Sequence, residues 1–263
     1  MIRLRGGRGL GDSLYLRPIV DYLVRLGERV TALSDYPDVF LASGAEVQPF
    51  TRQGVVLLAH YRTGIGNPQT TQWQDVLRSA RMPEGLPLRF SWTVRNATLV
   101  DALQARAAGK PLVLVHGGRE PMNRTDGFAL ELMPERAAFA TALDALRDCF
   151  LVRVGRGPRR YELPADADLD GDTTVADLLD VASQCAGVVA QCSFAVPLAE
   201  CFDKPLLAIW SARGLVAREA YIRQLTPRKI LCSTRDAFVM DDWSAKKIKG
   251  GASAFRDSMN SGA

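Results

Sequence analysis

The amino-acid sequence predicts an α/β fold in which two Rossmann-like α/β/α halves face each other across a cleft. Short apolar runs alternate with helical patterns, and the alternation starts again in mid-chain after a breaker at residues 109–111. A glycine-rich turn follows the first predicted strand, residues 1–5, and precedes an amphipathic helix with apolar residues at helical spacing over 16–26. These observations make a cleft between the halves the expected place for a ligand.

The first half, residues 1–108, has predicted strands at 1–5, 29–33 and 55–60. Residues 63–71 are rich in Gly, Pro and Thr and lack periodicity, which predicts a surface loop, and a helix at 73–80 follows. A connecting helix at 97–108 then leads to Gly109-Lys110-Pro111. We place the domain boundary at this break.

The second half, residues 109–245, repeats the pattern with predicted strands at 112–115, 150–154, 187–190 and 205–210. Its predicted helices are 134–148, with proline in the first turn, 174–185, capped by Thr173 or Thr174, and a shorter one ending at Cys201. Weaker patterns beyond Trp210 predict a helix within 211–225, a strand at 229–232 and a short closing element at 241–243. Residues 246–263 are rich in Lys, Gly and Ser and predict a flexible tail.

Composition narrows the class of protein. The 263 residues are 47% hydrophobic, and 33 Lys and Arg against 29 Asp and Glu give a net charge of +4. This excess fits anionic ligands and is too small for a dedicated nucleic-acid binder. Five cysteines without CxxC spacing indicate neither a disulfide framework nor a zinc site, so we expect reduced thiols and a cytoplasmic protein. We expect no membrane span, because no apolar run reaches about 18 to 20 residues.

The turn Gly6-Gly7-Arg8-Gly9-Leu10-Gly11-Asp12-Ser13 carries the clearest functional signal. Glycines such as Gly9 and Gly11 let a ligand approach the backbone, whose N–H groups and helix dipole favour anions. Asp12 would repel a bare phosphate, so we interpret it as a carboxylate aimed into a cleft, as a general base would be. The structural alternative is that Asp12 is the N-cap of the first helix.

Two histidines and a cysteine stand after predicted strands. His60 and His116 each follow an apolar run, where histidine is more often a core or edge residue than a ligand contact, and for His116 we keep both interpretations. Cys192 offers a thiol, yet no histidine lies near it in sequence and cysteine is commonly a small buried hydrophobe. We therefore expect Cys192 to be buried and unreactive.

A basic cluster follows the strand 150–154 and consists of Arg153, Arg156, Arg159 and Arg160. One interpretation is a solvated loop. A second is a phosphate contact, because ligands of open α/β sheets bind at the carboxyl edge. With Tyr161 adjacent, the cluster could also contact a nucleic-acid backbone.

Several motifs together resemble those of the heptosyltransferase-like glycosyltransferases, a family with the two-domain GT-B fold. The run Gly9-Leu10-Gly11-Asp12-Ser13-Leu14, with Pro18 beyond it, is similar to the N-terminal motif of the family. The run Val113-Leu114-Val115-His116-Gly117-Gly118 resembles the strand and glycine turn that open its nucleotide domain. Later segments match in order at 134–139, 174–179, 186–189, 197–200 and 204–207. The resemblance covers most of residues 1–210.

The resemblance implies an inverting transfer of a sugar from a nucleoside diphosphate donor to a hydroxyl, with Asp12 as the general base and with no metal or other cofactor. Backbone N–H groups and a cation, Arg119 or Arg124, would hold the charge of the leaving group. Glu200 would contact a ribose; its structural alternative is a solvated helix face. With Arg156 from the basic cluster, the expected donor-binding residues are Gly9, Gly11, His116, Gly117, Gly118, Arg119, Arg124, Arg156, Ser193 and Glu200.

The sequence departs from the family in one segment. Where the family has Asp-Ser-Gly-x-x-His, this chain has Cys192-Ser193-Phe194-Ala195-Val196-Pro197, in which Ser193 alone is retained to cap the helix and meet a phosphate. The first half is also short, so we expect a small-molecule or glycan acceptor, or a hydroxylated base in DNA, rather than lipopolysaccharide core. A third hypothesis is a nucleotide-sugar binding protein without catalysis.

Overall fold

The computed structural model describes residues 1–54, 57–61, 70–118, 134–157, 159–209, 237–240 and 244–261. Its described strands form two parallel sheets, which confirms the predicted α/β class. The first sheet has the order β3-β2-β1-β4 and is built from β1 (Ile2–Arg5), β2 (Val30–Leu33), β3 (Glu46–Gln48) and β4 (Leu57–Leu58). The second has the order β10-β9-β8-β5-β6-β7 and is built from β5 (Leu112–His116), β6 (Phe150–Arg153), β7 (Ala167–Asp168), β8 (Gly187–Ala190), β9 (Leu206–Ile209) and β10 (Ala237–Met240).

Seven described α-helices flank the sheets: α1 (Leu10–Arg25), α2 (Gln72–Ser79), α3 (Ala97–Ala107), α4 (Arg136–Asp144), α5 (Val175–Gln184), α6 (Ala195–Cys201) and α7 (Ala245–Ser261). The predicted helix at 134–148 is shorter than expected, because α4 begins after Pro134 and ends at Asp144. The helix predicted within 211–225, the strand at 229–232 and the closing element at 241–243 lie outside the described residues.

Helix α1 contains an interior proline, and the second half of the chain compensates for it. Pro18 has no N–H to donate to the carbonyl of Leu14, four residues earlier. The thiol of Cys201 in α6 lies 3.9 Å from that carbonyl oxygen and donates to it, at a place where Leu14 and Cys201 are both buried. Helices α1 and α6 therefore pack directly against each other, which brings the two halves into contact.

A short connection explains why the first half is small. The strand order means that the short connection from β3 to β4 passes β2 and β1, a crossover that usually takes a dozen or more residues and a helix. Here Phe50 lies between two arginines, with its ring centroid 5.5 Å from the guanidinium of Arg5 and 5.9 Å from that of Arg8. The arginines at this end of β1 therefore serve packing as well as charge.

The predicted flexible tail is wrong for residues 245–261, which form helix α7. Its buried residues Ile248, Ala252, Phe255 and Met259 recur at helical spacing and join the core that α4 forms on the second sheet. Gly187 in β8 leaves the space that the Phe255 ring fills, since a Cβ there would lie 2.6 Å from the ring. Lys, Gly and Ser dominate the composition of this segment and conceal its four-residue apolar stripe.

Acidic side chains of α5 hold the segment that joins the sheets. The buried carboxylate of Asp180 accepts hydrogen bonds from Trp92 Nε1 at 2.6 Å and from the backbone N–H of Asn96 at 2.7 Å. Asp177 accepts from the side chain of Asn96 at 2.8 Å. Helix α3 then packs on α5 and β5, so it lies against the second sheet. The boundary proposed near Gly109 stays a prediction.

Candidate active site

Asp12 lies at the carboxyl edge of the first sheet, in the first turn of α1, directly after the glycine-rich turn that follows β1. Its Oδ2 accepts the backbone N–H of Gly9 at 2.9 Å. Gly9 is the N-cap of α1 and Asp12 is the third helical residue, so the interpretation of Asp12 itself as the N-cap is wrong. The carboxylate occupies the space where a side chain on Gly7 would stand, which explains the glycine there. The turn thus folds its backbone around a carboxylate.

Gly11 places this turn against the second half of the chain. A Cβ on Gly11 would lie 3.5 Å from Phe194 Cα and 3.6 Å from Pro197 Cγ. Phe194 and Pro197 belong to the loop and helix after β8, the segment that departs from the family pattern. The carboxyl edges of the two sheets therefore meet at Gly11, and Asp12 is the next residue along.

The loop after β2 completes the first-half side of the site. Ser13 Oγ and Ser34 Oγ are 2.8 Å apart in a buried hydrogen bond, and Ser34 Oγ accepts the N–H of Tyr36 at 2.9 Å. Arg8 Nε donates to Asp35 at 2.8 Å. Ser34, Asp35 and Tyr36 belong to no motif recognised in the sequence, although their position directly after a strand puts them at the ligand-binding edge of a parallel sheet.

Charges from both halves act on Tyr36, which is half-buried. Burial raises the pKa of Tyr36, and the negative charges of Asp35 and Asp12 raise it further. The positive charges of Arg8 and Arg156 lower the pKa of Tyr36. Arg156 follows β6 in the second sheet, so Tyr36 lies where groups of both sheet edges converge.

The glycine turn of the second half is locked by its neighbours. Gly118 has φ +70°, donates its N–H to Gln191 Oε1 at 3.0 Å and accepts the N–H of Arg160 at 2.8 Å. A Cβ on Gly117 would lie 2.5 Å from the ring of Phe139. Because the Gly118 N–H is engaged by Gln191, a donor phosphate would have to displace that side chain to bind there. The donor contact predicted at Gly118 would therefore use an N–H that already donates to Gln191.

His116 ends β5 and is buried, 6% exposed, beneath Phe194. The two rings meet edge to face, with centroids 4.5 Å apart and planes at 62°. Phe194 therefore contacts the residue just before the second glycine-rich turn, and it also lies against Gly11 of the first glycine-rich turn. His60 has a structural setting as well, since its ring stacks on Tyr61 with a centroid distance of 5.6 Å.

The prediction that Ser193 caps the helix after β8 is wrong, because Phe194 is the N-cap of α6 and its side chain makes no capping hydrogen bond. Ser193 Oγ accepts the N–H of Ala195 at 3.2 Å, at the start of α6. Cys192 is half-buried and not fully buried as expected, and the burial that it has raises the pKa of its thiol to about 12, in line with low reactivity. Glu200 is 4% exposed within a fully buried α6, so the alternative of a solvated helix face is wrong.

Two of the four arginines in the basic cluster are paired with acidic neighbours. Arg153 pairs with Asp168 and Glu162, and Arg159 pairs with Glu162 at 2.8 Å and Asp170 at 2.7 Å. The same arginines lower the pKa values of Glu162 and Asp168 by hydrogen bonding. Arg156 is exposed and has no carboxylate at ion-pair distance among the described residues. It is the member of the cluster best placed for a ligand; Arg119 and Arg124 lie outside the described residues.

Two further features concern metals and membranes. In the part of the chain that the structure describes, no group of three or more His, Cys, Asp or Glu side chains is arranged to hold a metal ion. None of the described helices is both long and apolar enough to cross a bilayer.

Two parallel α/β sheets that meet at their carboxyl edges have the architecture of the GT-B fold, which the sequence resemblance implied. The chain is similar to Escherichia coli ADP-heptose LPS heptosyltransferase II, with 12% identity, 100% of both chains covered and a TM-score of 0.61. It is also similar to the iron-containing dodecameric glycosyltransferase TibC from enterotoxigenic E. coli H10407, with 10% identity, 99% of this chain and 76% of that chain covered and a TM-score of 0.59.

A third similar structure is a glycosyltransferase family 9 protein from Veillonella parvula DSM 2008, with 10% identity, 90% of this chain and 85% of that chain covered and a TM-score of 0.57. No family model matches the chain, and no curated protein matches it in sequence. The chain therefore has the heptosyltransferase-like GT-B fold, at identities that establish the fold alone.

Proposed function

We propose that this protein is an inverting glycosyltransferase that moves a sugar from a nucleoside diphosphate donor to a hydroxyl of its acceptor. The observation that carries the proposal is the position of Asp12. Its turn packs directly against the loop and helix after β8, at the meeting edges of the two sheets. A carboxylate held there by Gly9 is suited to take a proton from an acceptor bound in the cleft.

In the proposed reaction Asp12 accepts the proton of the acceptor hydroxyl as its oxygen forms a bond to the anomeric carbon. The bond from that carbon to the diphosphate oxygen breaks on the opposite face, and the electron pair leaves with the diphosphate. The anomeric configuration is thereby inverted. The hydrogen bond from Gly9 fixes the orientation of the carboxylate during this step.

Cations of the second half would hold the charge of the leaving diphosphate. Arg156 is exposed, and its positive charge lowers the pKa of Tyr36, the residue whose pKa the charge of Asp12 raises, which supports Arg156 as one such cation. Ser193 offers a hydroxyl at the start of α6. By the resemblance, Arg119 and Arg124 would contribute from the loop after Gly118. This assignment uses protein cations and requires no metal ion.

The first donor to test is ADP-heptose, since the similar E. coli enzyme is named for that donor. A thermal-shift screen of the purified protein should include ADP, UDP, GDP, CDP and their sugars, because a ligand that binds the native state raises the melting temperature. A shift with one nucleotide, followed by release of that nucleoside diphosphate with an acceptor present, supports the proposal. Failure of every nucleotide to shift the melting temperature would contradict it.

A second candidate is a nucleotide-sugar binding protein without catalysis. Two observations favour it: the engaged Gly118 N–H and the replacement of the family's donor segment by residues 192–197. It predicts a melting-temperature shift with the donor and no release of nucleoside diphosphate with any acceptor. The DNA-base acceptor receives less support, because Arg153 and Arg159 are paired with carboxylates instead of facing a phosphate backbone.

A further inference from the structure

The backbone of Tyr36 is held by its neighbours, independently of the side-chain hydroxyl. Its N–H donates to Ser34 Oγ at 2.9 Å, and Ser34 is bonded in turn to Ser13 in the first turns of α1. Asp35 is fixed from two sides, by Arg8 at 2.8 Å and by the backbone N–H of Phe50 at 3.2 Å. The loop that carries Tyr36 is therefore rigidly attached to the turn that carries Asp12.

Charged groups of both halves act electrostatically on the half-buried side chain of Tyr36. Asp12 and Arg8 act on it from the β1 turn, Asp35 from its own loop, and Arg156 from the edge of the second sheet. Among the described residues no group hydrogen-bonds to the Tyr36 hydroxyl. A half-buried tyrosine whose hydroxyl lacks such a partner offers a ring face and a polar group to a ligand.

We propose that Tyr36 is an acceptor-binding residue: its ring and hydroxyl hold the acceptor so that the reacting hydroxyl lies against Asp12. The proposal rests on the proposed glycosyl transfer and adds the residue that recognises the acceptor. Tyr36 and Asp12 belong to the same half of the molecule, whereas the cations proposed to hold the donor diphosphate lie in the other half. Tyr36 should therefore affect the acceptor and leave the donor unaffected.

The ligand chemistry follows from the side chain. A sugar presents apolar C–H faces and hydroxyl groups, and tyrosine offers an apolar ring beside an O–H that both donates and accepts. Burial and the nearby carboxylates keep the hydroxyl protonated, since they raise the pKa of Tyr36. A neutral hydroxyl can donate to an acceptor oxygen over the whole working range of a general base.

The test compares Tyr36→Phe and Tyr36→Ala with the wild-type enzyme. The donor is the nucleotide sugar selected by the thermal-shift screen, and the acceptors are methyl glycosides, some neutral and some carrying a carboxylate. We expect the KM for the acceptor to rise about tenfold in Tyr36→Phe, the usual scale for one lost hydrogen bond, and further in Tyr36→Ala. The Kd of the donor nucleotide should stay within about twofold, because no donor group is removed.

A matched control is Tyr22→Phe, since Tyr22 lines an open groove with Leu26 and Pro83 near the C-terminal end of α1. It should behave as wild type. If an active enzyme keeps its acceptor KM in both Tyr36 variants, or loses donor affinity in step with KM, the acceptor role is overturned while glycosyl transfer stands. If the wild type binds a donor and transfers to no acceptor, the proposed transfer fails, and the acceptor role fails with it.

Discussion

The two glycine-rich turns at the meeting edges of the sheets pack against different groups of the protein. In the turn after β1, Gly7 and Gly9 give up side chains so that the Asp12 carboxylate can fold back onto the backbone. In the turn after β5, Gly117 and Gly118 give up side chains so that aromatic residues of the protein itself can pack there. The first turn surrounds the carboxylate that we propose as the general base, and the second packs the end of a strand against the protein's own side chains.

Similar glycine runs in the sequence therefore do not imply similar neighbours in the fold. From sequence both turns fit phosphate binding, because glycine permits a close approach by any neighbour. The neighbour is a carboxylate in one turn and the Tyr161 and Phe139 side chains in the other. The spacing of the glycines therefore does not identify the group that packs against the backbone.

The largest expected effect belongs to the first turn. Asp12→Asn should lower turnover about 10²- to 10⁴-fold, the usual contribution of a general base. The asparagine oxygen can still accept the Gly9 N–H, so the melting temperature and the donor Kd should change little. Steady-state assays of sugar transfer measure turnover, and calorimetric titration separately measures the donor Kd.

Asp101→Asn is the matched control for Asp12, because Asp101 is exposed on α3. It should leave turnover unchanged. An Asp12→Asn enzyme with wild-type turnover would contradict the proposal that Asp12 is the general base. The first turn would then have no catalytic role that distinguishes it from the second.

The second turn should respond in stability instead. Gly118→Ala places a side chain at φ +70° and 2.8 Å from the carbonyl oxygen of Tyr161. We expect the free energy of unfolding to fall by about 2 to 4 kcal/mol, since left-handed strain alone costs about 1 to 3 kcal/mol and the clash adds to it. Urea-induced unfolding measures the change.

Gly171→Ala separates strain from packing. Gly171 has φ +81°, and a Cβ there would have no neighbour within 4 Å, so its substitution should cost only the strain. Equal losses for Gly118→Ala and Gly171→Ala would show that the second turn is not locked by packing.

The smallest effect tests whether the two edges meet at Tyr36. Asp12→Asn should lower the pKa of Tyr36, because a negative charge that raises it is removed. Arg156→Ala should raise the pKa of Tyr36, because a positive charge that lowers it is removed. NMR titration of isotope-labelled tyrosine, assigned with Tyr36→Phe, measures both changes.

Arg147→Ala, an exposed site after α4, is the matched control for Arg156 and should not move the titration of Tyr36. A Tyr36 pKa that is insensitive to both Asp12 and Arg156 would mean that the two sheet edges do not converge at this side chain.

The sequence was sufficient for the elements with long apolar patterns. Helix α5 and strands β5 and β8 lie within a residue or two of their predicted bounds, because buried runs and caps such as Thr174 define them locally. Strands β3 and β7 were missed, since two or three residues with a single apolar member carry no period. Helix α7 was missed because its composition suggested disorder.

The candidate site was predictable in its first turn and less so elsewhere. Asp12 could be identified from one local motif, and the Gly9 N–H that orients its carboxylate is only three residues away in sequence. Tyr36 and Gln191 could not be assigned in this way, since their relevance depends on contacts across 24 and 73 residues of chain, respectively. The pairing of Arg159 with Asp170 was hidden for the same reason, because a cluster of like charges in sequence does not show its partners in space.

Pro18 has a consequence for how the molecule unfolds. It leaves the Leu14 carbonyl without its helical donor, and the thiol that serves this buried oxygen belongs to α6 in the other half of the chain. If the halves separated, that carbonyl would lose its donor and have to be hydrated inside an apolar helix face. Separation and unfolding are thereby coupled, and we expect the chain to melt as one cooperative unit instead of as two independent domains.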